Sequence, residues 1–116
     1  MCPYDCNDVS QTNAIILRFD ANKAEEFEHR FEKEVLPLWR RFKAEGKFIS
    51  VSLTPVQDGN QEKQGVRDYI LHVEVPSMAE HKEFDTNPAF NRFLPGAQAM
   101  QAEAPLIWLG ETLFQV

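Results

Sequence analysis

His72 and Glu74 stand two residues apart in the stretch VRDYILHVEV, Val66 to Val75, with Asp68 four residues before His72. In an extended chain alternate side chains share a face, so one imidazole and two carboxylates point the same way there. Arg18, in the stretch NAIILRFD, reaches the same face once the two stretches lie in one sheet. A carboxylate beside an imidazole holds it in one tautomer, the base-and-orienter half of a proton-transfer site. The same residues serve equally as a polar network between two subunits, where opposite charges satisfy one another. His81 is a second candidate base, since imidazole titrates near neutrality. It lies three residues before Phe84, so it also fits the edge of an apolar helical stripe. Trp39 and Trp108 would line an aromatic pocket by offset stacking, or fill the core.

Cys2 and Cys6 are the only cysteines, with three residues between them and no histidine nearby. A redox pair, a disulfide or half a metal site would need a different spacing or ligands from elsewhere. Two reduced thiols in a flexible tail, residues 1–12, is the expected reading, and no metal site is expected.

The chain has 116 residues with 12 Lys and Arg against 18 Asp and Glu, a net charge of −6. One domain, residues 13–116, fits that length. An acidic surface repels phosphate backbones and anionic lipid, so nucleic acid and membrane are not expected partners. No stretch approaches the roughly 18 apolar residues of a membrane span. The opening MCPYDCNDVSQT lacks the basic start and apolar run of a signal peptide, so a cytoplasmic location is expected.

The elements that position these residues follow from periodicity. NAIILRFD, from Asn13, alternates as a strand. Asn22, three residues before Glu25, is a candidate helix cap. Phe27, Phe31, Val35, Leu38 and Phe42 then form one helical stripe that Gly46 would stop and Pro37 would interrupt near Leu36. FISVSLTP, Phe48 to Pro55, is a second strand, residues 57–65 a polar hairpin loop, and Val66 to Val75 the third strand. Ser77 with Glu80 reads as a capping box, and Asn87-Pro88 as a second cap breaking that helical region near Thr86. Pro95-Gly96 would break it again, and Pro105 would end it before a last strand, Leu106 to Phe114.

Strand, helix, strand, strand, helix, strand with right-handed crossovers predicts an α+β, ferredoxin-like βαββαβ fold: a four-stranded antiparallel sheet ordered 4-1-3-2 with the helices on one face. Period-two bookkeeping puts Ile15, Leu17, Phe19, Ile49, Val51, Leu53, Tyr69, Leu71 and Val73, with Ile107 and Leu109, beneath the helices. The opposite face carries Ile16, Arg18, Asp68, Ile70, His72, Glu74, Trp108, Thr112 and Phe114, with Ser50 and Ser52. Helices cover one face only, and an apolar patch of this size marks an interaction surface. A second copy packed sheet to sheet is the expected cover.

The element order, the length and the run HVEVPSMAEHKEFDTNPAFNRF, His72 to Phe93, resemble the dimeric α+β barrel superfamily, and within it the antibiotic-biosynthesis-monooxygenase-like proteins. The resemblance spans residues 13 to 114. It implies a barrel of two sheets and a pocket between each sheet and its helices. His81 matches the second-helix histidine of those proteins, and an imidazole facing the pocket would suit proton transfer or haem ligation. Activities across the superfamily include cofactor-independent oxygenation of aromatic polyketides, haem degradation, lactone isomerisation and dye decolourisation, and some members only bind or assemble. Two readings stand. In one, a cofactor-independent oxygenase or isomerase acts on a small aromatic or polyketide-like compound with His81 or His72 as base, Trp39, Trp108, Arg18 and Glu74 around the ligand, and no cofactor. In the other, a non-catalytic homodimer binds a small apolar ligand or serves assembly. In that case polar residues build only the interface and no pocket of useful volume exists.

Overall fold

A computed structural model describes residues 10–116. Cys2 and Cys6 lie outside the described residues. The strands are β1 (Gln11–Asp20), β2 (Ser50–Pro55), β3 (Val66–Val75) and β4 (Gln101–Glu111). The helices are α1 (Ala24–Glu34), α2 (Leu36–Ala44), α3 (Met78–Asp85) and α4 (Pro88–Ala99), with a short 3₁₀ turn at Ala21–Lys23. The sheet is antiparallel throughout, ordered β2-β3-β1-β4. This is the ferredoxin-like arrangement that periodicity and crossover handedness predict. β1 begins two residues earlier than the alternation from Asn13 indicates.

The first helical region divides where Pro37 requires it. Proline has no N–H and its ring meets the carbonyl four residues back, so α1 stops at Glu34 and α2 restarts with Pro37 in its first turn. Gly46, at φ 75°, takes the left-handed conformation just beyond α2. Asn22 does not cap: it falls inside the 3₁₀ turn, and α1 starts without a side-chain cap. Ser77 does cap α3, accepting from the Ala79 N–H at 3.3 Å and donating to the Glu80 carboxylate. Asn87 caps α4 through the Ala89 and Phe90 N–H groups at 2.9 and 3.3 Å.

Two expectations about proline need correction. α4 runs unbroken through Pro95 and Gly96. Phe93 and Ala97, on either side of Pro95, are both buried in the core, and that packing outweighs the missing hydrogen bond. Gly96 also lets the Arg30 guanidinium lie where a Cβ would be. The helix then ends at Ala99, not at Pro105, and Pro105 sits inside β4. β4 is an edge strand whose register against β1 shifts between Ile16 and Arg18, and proline is tolerated at such a bulge. The strand closes at Glu111, short of Phe114.

Between helices and sheet lies an aromatic core. Phe19 stacks on Phe27 at 3.9 Å, Tyr69 meets Phe27 edge-on at 5.2 Å, and Phe31 meets Trp39 at 4.7 Å. Phe42, Phe48, Phe84 and Phe90 extend the cluster, so every phenylalanine but Phe114 belongs to it. Such ring pairs contribute roughly 0.5–1.5 kcal/mol each beyond the area they bury. Burial, with the Glu28 carboxylate to which it donates, pushes the Tyr69 phenol far above its ordinary value.

The helices leave one strand bare. Ile107 and Leu109 pair with Ile15 and Asn13 and so share their helix-side face, yet Ile107 is 64% exposed and Leu109 nearly half. Parity assigns the face correctly; the helices' width stops short of β4. On the opposite face Trp108 is 67% exposed, beside exposed Leu106 and Ile70. Leu113 and Phe114, just past the strand, are more exposed still. None of these is sheltered by the chain's own helices.

Candidate functional site

The helix-side face of β1 reads Gln11, Asn13, Ile15, Leu17, Phe19, two polar residues followed by an apolar row. Asn13 is buried, 4% exposed, opposite Val73 of β3. Its amide needs a partner, because an unpaired buried polar group is costly. The partner comes from α3: Asn13 Nδ2 lies 3.2 Å from His81 Nδ1. One helical turn on, His81 Nε2 lies 3.0 Å from Asp85 Oδ2. The Ser77 cap sets where α3 starts, and the Asn87 cap ends the region just beyond Asp85. Asn91 reinforces that end by donating to the Asp85 and Asn87 carbonyls, each at 3.0 Å.

This line of three polar groups opens into a cavity of about 90 Å³. Phe31, Val35, Trp39, Phe48, Leu71, Val73, Phe84 and Phe90 form its apolar walls, and Asn13, His81 and Asp85 its polar corner. Asp85 is exposed and His81 half-buried, so the corner leads to solvent while the walls stay dry. A neutral imidazole fits the geometry in one way. Nδ1 accepts from the Asn13 amide, and the Nε2 proton goes to the Asp85 carboxylate.

Of the residues marked in the sequence, His81 and Trp39 line this cavity. His72, Glu74, Arg18 and Trp108 do not, since all four sit on the other side of the sheet. There His72, Ala14 and Trp108 form one row across three strands. His72 Nε2 is 3.5 Å from Glu74 Oε1, and Glu74 also accepts from Ser50 Oγ at 3.2 Å and from Gln115 Nε2. Arg18 donates to Glu103 at 3.0 Å and faces Asp68 with Nε to Oδ1 at 3.7 Å. Those two facing atoms are buried without a hydrogen bond. Lys63 also reaches Glu103, and Lys63 first, then Arg18, holds the Glu103 carboxyl below the usual carboxylate range.

The fold matches solved structures along nearly its whole length. Three are putative antibiotic biosynthesis monooxygenases, from Caulobacter crescentus CB15, Nitrosomonas europaea and Bordetella bronchiseptica. Against the first, the TM-score is 0.71 at 22% identity, covering 93% of each chain. The second gives 0.72 at 9% identity over 96% of each, and the third 0.66 at 15% over 91% of this chain and 99% of that one. The chain has their ferredoxin-like fold. No protein-family model and no curated protein sequence matches it. Among the described residues no helix is long and apolar enough to cross a membrane.

Asn13 escaped the sequence reading because the visible alternation starts there, and a polar residue at the start of a strand is unremarked. The available signal was its parity with Ile15, Leu17 and Phe19. Asp85 carries a signal of its own in the sequence: its spacing of four from His81 places the two on one helical face.

Proposed function

We propose that the chain binds a small, mostly apolar molecule carrying a hydroxyl or an acidic C–H, and that His81 removes that proton. The observation that carries this reading is the Asn13–His81–Asp85 line ending in an otherwise apolar cavity. A ligand hydroxyl entering the corner displaces the Asn13 amide from Nδ1 and gives its proton to that nitrogen. The imidazolium formed is held by Asp85, and the Asn13 N–H, now free, donates to the ligand's new anion. Removing water from the walls strengthens each of these interactions. Proton removal is the first step of both oxygenation of an electron-rich aromatic by dioxygen and isomerisation. The shared fold with the putative antibiotic biosynthesis monooxygenases supports the former as the reaction class, on a small aromatic or polyketide-like compound.

The protein acts as a homodimer in this reading. The exposed Trp108, Leu106 and Ile70 form an apolar surface on the sheet face that no helix covers, and an identical sheet is its economical cover. Arg18, Asp68, His72 and Glu74 then lie within the interface as a polar network, apart from the chemistry.

Oxygen uptake with hydroquinone-type substrates tests the catalytic role: uptake by the wild type, lost in His81→Ala and kept in His72→Ala, is expected. Uptake unchanged by His81→Ala would sink the assignment. One observation favours the second reading, a non-catalytic binding module: about 90 Å³ is below the roughly 300–1,000 Å³ of common ligand pockets. Ligand binding without oxygen consumption or product would select it.

A further inference from the structure

Two side chains wall the cavity on one side and an open groove on the other: Phe31 and Trp39 line both. The groove, about 360 Å³, runs between α1, α2 and β2, an edge strand of the sheet, with Leu36, Val51 and Leu53 giving it an apolar floor. Trp39 is 7% exposed and meets Phe31 edge-on, so the two rings stand between cavity and groove. Trp39 belongs to the opening turns of α2, just past the break at Val35.

We infer that Trp39 is the partition that sets ligand size, separating the small catalytic corner from a larger apolar annex. The inference rests on the reading that the cavity is the ligand site. A dry cavity of about 150 Å³ is what holds a benzene molecule, so the cavity of about 90 Å³ takes at most the reactive end of an aromatic ligand. With the indole moved aside, cavity and groove form one space on the scale of a drug-sized site. The annex has Glu28 and Glu32 at its rim, so it admits an uncharged or cationic apolar body rather than an anionic one. The ligand class is therefore a hydroxyl-bearing molecule with an uncharged or cationic apolar extension beyond one ring. Trp39 touches the extension and His81 the hydroxyl.

The test uses phenol and 4-cyclohexylphenol, which share the hydroxyl and differ in the extension. Calorimetric titration of wild type and Trp39→Leu should show a gain for 4-cyclohexylphenol in the variant at least about tenfold larger than any gain for phenol. Equal changes for both, or no gain for the larger probe in a variant with native circular dichroism, overturn the partition. Because Trp39 is buried, its natural form is read as well. In Trp108→Phe, Trp39 is the sole tryptophan, and 4-cyclohexylphenol should increase its quenching by acrylamide more than phenol does. Unchanged quenching at saturation counts against the partition. His81 imidazole NMR signals separate the two levels. Signals that ignore both probes overturn the cavity reading and the partition with it. Signals that respond to phenol, with no gain in Trp39→Leu, overturn the partition alone.

Discussion

Asn13 and His81 are 68 residues apart in the chain and meet at 3.2 Å, a buried strand amide against the ring nitrogen of a helical histidine. Asp85 holds the other ring nitrogen at 3.0 Å, so the imidazole is gripped at both ends. The grip selects a tautomer, with Nε2 protonated and Nδ1 accepting. Nitrogen-15 NMR of neutral His81 should report that form as dominant, and Asp85→Ala and Asn13→Ala should each move the populations toward equality. A dominant Nδ1–H form in the wild type would contradict the arrangement.

Asn87 closes two otherwise open N–H groups at the start of α4 and fixes the break after Asp85. Asn87→Ala should cost about 1 kcal/mol, within the roughly 0.5–2 typical of such caps, measured by urea unfolding. Asn87→Asp should stay close to wild type, since aspartate caps as well.

Lys63 and Arg18 depress the Glu103 carboxyl relative to an unfolded chain. A depressed carboxyl contributes stability above its unfolded pKa and loses it as pH falls through the folded value. Thermal melts should therefore show wild type above Glu103→Gln near neutrality, with the gap narrowing as pH falls below the ordinary carboxylate range. Carboxylates common to both proteins cancel in that difference. A gap that widens on acidification would reverse the sign and refute the pairing.

Trp108 lies outside the chain's own core, so Trp108→Lys should leave the fold intact while placing a charge in the proposed sheet-to-sheet interface. The concentration at which copies separate should rise at least about tenfold, about 1.4 kcal/mol, by size exclusion with light scattering. A wild type that is already monomeric at micromolar concentration would remove the dimer.

Sequence carried much of this fold because its signals are local. Alternation located β3 without error, Pro37 marked the α1–α2 break to within a residue, and Asn87 was read as the cap it is. Proline elsewhere misled: Pro95 and Pro105 carry the same local penalty, but core packing holds one in a helix and an edge bulge accommodates the other. Ile107 and Leu109 show the limit of parity, which gives a side chain's face and not what stands over it. At the site, His81 was legible as a titratable residue near an aromatic stripe. Its partner on β1 was not, because only tertiary packing joins positions so distant.

Pro105 has a bearing on how copies of the chain can meet. It lies in the irregular stretch between Glu103 and Leu106, on a strand with no neighbour along its outer margin. An edge strand bent by a bulge and carrying a proline is a poor template for lateral addition of another strand. Growth along that direction, the route to open-ended fibres, is obstructed in the covalent structure itself. An approach across the broad apolar surface meets no such obstacle, and it ends once two surfaces have closed on each other.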